Sequence, residues 1–394
     1  MNTPAHARRP ATRAALAVPA LGALVLGTSE LGVAGLLPRI GADLGISVGT
    51  AGGLVSVYAV AVALLGPPLT AMTSRLSRRR VLLGALGALA VGNGVTALAP
   101  CFPALLAARA LTGAAAAIYA VTALAVATAL TGPERRGRAV ATVFGGITVS
   151  AVVGVPLSTL LGDGFGWRAV YGALAALSTA VLVAAVRLVP ESAPEPPSHM
   201  PSRLRALAEA RLLVTFAGNA VVTTGHYMAS TYLVVLLTRE TGLGTATVGV
   251  LLLAGGISGT VGTIVGGTCA DRHPRRALSG ATALLAVSMA VIPLVMASPA
   301  LIWPVTLLWT AAFNAFSTAA QVNVSLQADP ATDLAAAANI SVFNAGIAVG
   351  SAAGGLVLPL AGFTGIALTG AALALAGLTA VLLGPPAPVA SASR

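Results

Sequence analysis

Residues 16–38 read LAVPALGALVLGTSELGVAGLLP, a run long enough to cross a bilayer that carries one charge, Glu30. A carboxylate deep in a membrane is unfavourable by roughly 2.5 to 3.5 kcal/mol on insertion scales, so such a residue pairs, binds an ion or faces a polar cavity. A partner is at hand. Of the 22 basic residues, Arg109 alone falls clearly inside another apolar run. At 1.5 Å per residue, Glu30 lies about 12 Å in from Pro38 and Arg109 about 9 Å in from Pro103, so their depths match. We expect the two charges to share one polar pocket.

Of the 394 residues, 57% are hydrophobic and 8% are charged, whereas soluble globular domains carry about a quarter charged residues. The chain therefore reads as an all-α polytopic membrane protein. Runs of the roughly 20 residues needed for a crossing can be drawn twelve times, at 14–38, 51–72, 81–99, 104–130, 139–161, 168–189, 212–238, 247–268, 278–297, 301–327, 334–358 and 362–384. A net charge of +11 would suggest nucleic acid in a soluble protein, but here the arginines carry a topology. They gather before span 1, between spans 2 and 3 and spans 4 and 5, around the middle loop and after span 8, while the opposite side receives Arg39, Arg168 and Arg239. The positive-inside rule then puts both termini in the cytoplasm. We expect a multi-pass protein of the inner (plasma) membrane, a monomer with an uncleaved first span, whose partner is the lipid bilayer and no nucleic acid. Cys101 and Cys269 fall at opposite ends of their spans, and the four histidines show no metal-ligand spacing.

Between spans 6 and 7, Pro190, Pro194, Pro196, Pro197 and Pro201 block helix and stiffen a linker. Arg203 to Arg211 then reads as a short amphipathic helix for the membrane surface. This gives an N-terminal six-helix bundle at 1–189, a cytoplasmic linker at 190–211 and a C-terminal six-helix bundle at 212–394. The halves look like copies. Ser74, Arg75, Arg78 and Arg79 align with Asp271, Arg272, Arg275 and Arg276 at an offset of 197 residues. Parallel six-span repeats are a transporter architecture with a substrate site near the membrane midplane.

These residues resemble the major facilitator superfamily, in its twelve-span drug:proton antiporter branch, over nearly the whole chain. The segment from Gly267 through Asp271 and Arg272 to Arg275 and Arg276 is similar to that family's loop signature. The copy after span 2 departs from it at Thr70 and Ser74. Arg109 and Gly113 match the span 4 motif, whose arginine the resemblance implicates in proton coupling together with Glu30. Gly154, Pro156 and Gly162 look like a variant of the span 5 antiporter motif. Gly27-Thr28-Ser29-Glu30 followed by Gly35-Leu36-Leu37-Pro38 is similar to bacterial chloramphenicol exporters, and Gly166-Trp167-Arg168 and Asn344-Ala345-Gly346 fit the same group. The resemblance implies a major facilitator fold in which the two arginine loops gate.

Polar stripes add candidate cavity residues. Asn219, Thr223, His226 and Ser230 recur at helical spacing on span 7, as do Asn314, Ser317 and Gln321 on span 10; such stripes fit a cavity wall and equally an interhelical hydrogen-bonding seam. Trp309, Phe313 and Phe316 form an aromatic stripe suited to stacking a drug ring or to plain packing. Tyr58 and Tyr119 are further candidates. No HExxH motif and no GxxxxGK[ST] loop occurs, which argues against a zinc protease and an ATP-driven pump. The sequence thus reads as a secondary transporter, not an enzyme, with no cofactor and a proton gradient as its drive. It is expected to export small amphiphilic drugs, a phenicol antibiotic being the leading guess. The alternative is a carrier of a sugar, amino acid or biosynthetic metabolite, with direction open.

Overall fold

Backbone N–H and C=O groups find no water inside hydrocarbon, so a chain this apolar must satisfy them within helices. In the computed structural model the described residues are 8–73, 75–131, 136–191, 209–328 and 332–383, and their regular elements are all helices. The first four are α1 (Arg8–Leu44), α2 (Val48–Thr73), α3 (Arg78–Leu98) and α4 (Phe102–Thr131). Helix α5 comprises Arg136–Val149, a π-helical turn at Ser150–Gly154, and Val155–Phe165; α6 is Trp167–Leu188. Helix α7 comprises Ala210–Ser230, Leu233–Val235 and a second π turn at Leu236–Glu240. Then come α8 (Thr245–Arg272), α9 (Pro274–Val295) and α10 (Pro299–Gln327). The last stretch, Thr332–Leu383, is broken at Gly362, whose φ of 61° and ψ of −165° leave the helical region; residues 332–361 are α11 and 363–383 are α12. Among the described residues eleven continuous helices are long and apolar enough to cross a membrane, and the Gly362 break makes the last of them two. The twelve expected spans are accounted for, although α1 runs on through Pro38 to Leu44. The amphipathic helix expected between Arg203 and Arg211 lies largely outside the described residues, as does Ser74.

Contacts divide the chain into two compact units, one of Met1–Ser47 with Val57–Pro197 and the other of Val48–Ser56 with Ser198–Arg394. Within hydrocarbon no hydrophobic effect drives helix against helix, so association rests on close packing of small residues and on interhelical hydrogen bonds. Unit 1 shows this along the α1–α5 seam. A Cβ at Gly27 would strike Ser150, at Gly35 Thr159, at Gly146 the Ala20 carbonyl, at Gly154 Thr28 and at Gly162 Leu36. The antiporter-like glycines of α5 are therefore contact points for α1. Pro156 lies two residues past the π turn; it has no N–H to give to the preceding turn, and wider i→i+5 bonding is one way a helix absorbs that loss. At one end of unit 1, Arg39 pairs with Asp163, and Arg168 pairs with Asp43. Arg168 also lies over the Trp167 ring at 4.2 Å and donates to the Ala99 carbonyl at 3.2 Å.

In unit 2 a ladder of glycines on α11 presses on α7: Gly346, Gly350 and Gly354 meet the carbonyls of Ala220, Thr224 and Met228. Gly225 meets Gly370 of α12 from the other side, and Gly262 and Gly266 of α8 pack on Ala311 and Ala315 of α10. The start of α2 belongs here too, with Gly49 against Gly355 and Gly52 against the Tyr232 hydroxyl.

The repeat is written in the backbone. Among the described residues positive φ occurs at four glycines, and they pair across the halves: Gly45 with Gly242, and Gly166 with Gly362. Arg79 donates to the Val186 carbonyl, and Arg275 to the Leu382 carbonyl, each bond spanning 107 residues. The geometric counterpart of Arg275 is thus Arg79 rather than Arg78, one residue off the alignment by sequence. The cause is a shorter connection between α8 and α9 than between α2 and α3, which runs of consecutive arginines hide because they match at either register.

Replacing Gly350 by alanine places a Cβ against the Thr224 carbonyl and is expected to destabilise the protein by about 1 to 3 kcal/mol. Gly145→Ala, in open space on α5, is expected to be neutral or slightly stabilising. Thermal melting of the two detergent-purified variants, followed by size-exclusion chromatography, checks the pair.

Candidate functional site

Glu30 sits on α1, half-buried, directly after the buried Ser29. Three helices converge on it. From α2, the Tyr58 hydroxyl donates to Glu30 Oε2 at 3.0 Å. From α4, Arg109 Nη1 donates to the Ser29 carbonyl at 2.8 Å and Nη2 reaches the Glu30 carbonyl at 3.5 Å. The guanidinium carbon also lies 4.5 Å from the centre of the Tyr58 ring. Tyr58 therefore touches both charged residues, accepting the cation on its face and offering its hydroxyl to the carboxylate. A desolvated cation–π contact contributes about 2 kcal/mol, and the carbonyls satisfy donors that lipid would leave bare. Gly113, one turn beyond Arg109, makes the arrangement possible, since a Cβ there would lie 2.6 Å from the Tyr58 carbonyl. The Arg109 and Gly113 spacing has a local reason: glycine lets α2 approach α4 where the arginine needs its tyrosine.

Behind these groups runs a buried ladder that the sequence reading did not single out. Ser29 Oγ donates to Asn93 Oδ1 at 2.7 Å, Asn93 Nδ2 to Ser178 Oγ at 3.3 Å, and Ser178 Oγ to Leu174 O at 2.6 Å. It links α1, α3 and α6 at the residue whose carbonyl Arg109 grips. The available signal was Asn93 itself, the one amide side chain in the run 81–99.

In unit 2 the predicted aromatic stripe of α10 meets the polar stripe of α7. His226 stacks flat on Phe313, with ring centroids 3.5 Å apart and planes 4° apart. Trp309 lies 5.3 Å from His226, Tyr227 closes edge-on at 5.1 Å, and Phe316 continues the cluster to Phe343 of α11. Several polar atoms here are buried without a hydrogen-bond partner among the described residues: His226 Nδ1, Trp309 Nε1, Thr223 Oγ1, Thr306 Oγ1 and Asn344 Oδ1.

Other candidates are committed to the bundle itself. Asn219 donates to Asn339, which donates to Gln321, at 2.9 and 2.8 Å. Asn314 bonds its own helix at Thr310 O and packs on Gly259. Tyr119 donates to Pro19 O at 2.9 Å and fills the space left by Gly22. Ser317 is half-buried on α10. In the arginine loops, Arg75, Asp271, Arg272 and Arg276 are exposed, Arg78 and Arg79 are half-buried, and Asp271 makes no ion pair among the described residues.

The sequence profile of the Major Facilitator Superfamily matches residues 20–341. The chain is 34% identical over 350 residues to the uncharacterized MFS-type transporter YtbD of Bacillus subtilis, covering 87% of this chain and 88% of that one. It is 33% identical over 345 residues to a chloramphenicol resistance protein of Streptomyces lividans, covering 86% of each. Among solved structures, a bacterial homologue of the human lysosomal transporter Spinster superposes with a TM-score of 0.71 at 16% identity, over 97% of this chain and 96% of that one.

Asn93→Ala removes the middle of the ladder, so the buried Ser29 hydroxyl loses its acceptor and Ser178 keeps only its bond to Leu174 O. A loss of about 1 to 3 kcal/mol is expected, seen as a lower melting temperature of the purified protein, whereas Thr179→Ala on the exposed face of α6 is expected to change it little.

Proposed function

This chain belongs to the major facilitator superfamily, and on that premise we propose that it is a proton-coupled exporter of small amphiphilic drugs, phenicol antibiotics being the leading substrate class. The observation that carries the reading is the Glu30, Tyr58 and Arg109 constellation. Glu30 is a titratable carboxyl set in an apolar helix, and intramembrane ionisable groups of this kind mark ion and proton paths. Arg109 on α4 and Tyr58 on α2 lie against Glu30, so small movements of α1 against α4 change its surroundings, which is what a proton carrier needs. In the proposed cycle, drug arriving from the cytoplasm displaces the proton from Glu30 or its surroundings. The carrier opens outward and releases drug, and protonation from outside returns it. Tyr58 relays the state of Glu30 to Arg109 because it touches both.

The aromatic and unpaired polar cluster of unit 2 supports the substrate side of the reading. The flat walls of Trp309 and Phe313 suit a ring, and the Trp309 N–H and His226 suit a polar substituent on it. The 33% identity to a chloramphenicol resistance protein favours a phenicol. Both termini are placed in the cytoplasm by the positive-inside pattern, which puts Cys101 outside and Cys269 inside; both cysteines are exposed.

Expression in a drug-susceptible host is expected to raise resistance to chloramphenicol, and an uncoupler is expected to restore drug accumulation. Glu30→Gln, which keeps the shape and removes the titratable proton, is expected to abolish proton-driven drug uptake into everted vesicles while still reaching the membrane. Gradient-driven transport at the wild-type rate by Glu30→Gln sinks the coupling proposal, and no resistance to any drug turns the reading toward a metabolite carrier. A membrane-impermeant maleimide on intact cells is expected to label Cys101 and spare Cys269 until permeabilisation; the reverse pattern inverts the topology and with it the direction of export.

A further inference from the structure

The buried ladder behind Glu30 can be compared with its own counterpart, because the chain contains its fold twice. Arg79 and Arg275 make the same bond to the last turns of α6 and α12, and Gly166 and Gly362 precede those two helices with positive φ. Both pairs stand 196 residues apart. At that offset Asn93 of α3 corresponds to Met289 of α9, and Ser178 of α6 to Ala374 of α12. The contacts agree with this register. Asn93 Nδ2 donates to Ser178 Oγ, which donates in turn to Leu174 O. The counterpart of Leu174 is Gly370, where an added Cβ would strike the Met289 methyl. In both units this position on the third helix faces the same turn of the sixth.

The fold therefore does not require polar groups here. Met289 and Ala374 are as fully buried as Asn93 and Ser178, and they fill the same place with apolar atoms. A buried hydrogen bond contributes only about 1 kcal/mol net, and apolar groups of matching shape replace both partners at little cost. Where buried polar groups are kept all the same, their best-attested use is to fix one register among several. The register fixed in unit 1 is that of the α1 turn that carries Glu30. Ser29 Oγ donates to Asn93 Oδ1 at 2.7 Å, while the carbonyl of the same residue accepts from Arg109 Nη1 at 2.8 Å. The Glu30 carbonyl lies 3.5 Å from Nη2, near the outer limit of a hydrogen bond, so a small slide of α1 makes or breaks it. An amide accepts from α1 and donates to α6 at once, whereas an ionised carboxylate has no proton to give.

We propose that Asn93 is a positioning residue for proton coupling: through Ser29 it holds Glu30 in register with Arg109 and Tyr58, and through Ser178 it ties that register to α6. The inference rests on the proton-coupling reading of Glu30 and adds to it a residue on a helix that carries neither Glu30 nor Arg109.

The test compares gradient-driven accumulation of chloramphenicol with drug-for-drug counterflow in proteoliposomes of the full-length protein, both normalised to folded protein. Counterflow needs binding and reorientation but no gradient, so the ratio of the two reads coupling, which a merely structural role leaves alone. Ser29→Ala keeps the carbonyl that Arg109 grips and releases Asn93. The triple variant Ser29→Ala, Asn93→Met, Ser178→Ala removes the whole ladder and gives α3 and α6 the residues that α9 and α12 carry. Both are expected to lower the ratio at least about fivefold, the low end of a coupling between two sites, and the triple variant is expected to melt close to wild type. Thr179→Ala on the exposed face of α6 is expected to keep the ratio. An unchanged ratio in Ser29→Ala overturns the proposal, and that comparison holds even if the triple variant fails to fold. Glu30→Gln, measured alongside, separates the two readings. A normal ratio in Glu30→Gln removes the coupling site and this inference with it, whereas a lost ratio in Glu30→Gln beside normal ratios in the ladder variants removes only the role of Asn93.

Discussion

A guanidinium held inside hydrocarbon is the constraint on which unit 1 is built. Arg109 is 1% exposed, and a cation in that position must find acceptors or be expelled. Its acceptors are the Ser29 and Glu30 carbonyls and the face of Tyr58. Each of them imposes something on a different helix. The carbonyls fix how far α1 slides along α4, the ring fixes α2, and the Ser29, Asn93 and Ser178 ladder ties the same point of α1 to α3 and α6. The Glu30 carboxylate lies within that arrangement and accepts from the Tyr58 hydroxyl.

The second constraint is steric. Helices that carry polar groups at their contacts must come close enough for short side chains to meet, and that is why glycine recurs at the seams. On α5 the contact residues are Gly146, Gly154 and Gly162, and on α11 they are Gly346, Gly350 and Gly354. In both units the glycine-bearing helix packs on the first helix of its repeat. The serines and threonines across these seams mostly return a hydrogen bond to their own helix, as Thr28 does to Leu24 O and Thr159 to Val155 O, so small size rather than polarity selects them.

The two repeats keep their backbone and diverge in chemistry. Positive-φ glycines and the arginine-to-carbonyl bonds persist at both ends, because they fix where helices stop and how their ends are tied. The interior does not persist. Unit 1 buries a charged constellation, whereas unit 2 buries an aromatic cluster around His226 with unpaired polar atoms. One repeat buries a guanidinium and the other buries a set of stacked rings.

The sequence by itself determined the twelve spans and the depth match of Glu30 and Arg109, because the cost of a polar group in hydrocarbon acts residue by residue and leaves its mark in composition. It also showed Gly113 one turn from Arg109 and the aromatic stripe of Trp309, Phe313 and Phe316, since helical periodicity is local. What only the tertiary structure decided is which helices those residues meet. Tyr58 as the group between acid and base, Asn93 and Ser178 as supports, Asn339 as the bridge between Asn219 and Gln321, and the repeat register that pairs Arg79 with Arg275 all depend on crossings between helices far apart in the chain. A helix shows its period in its own sequence, but the neighbour it faces is set by the packing of the whole bundle. In a membrane, where hydrophobic residues cover lipid-facing and buried surfaces alike, no contrast in polarity tells the two apart.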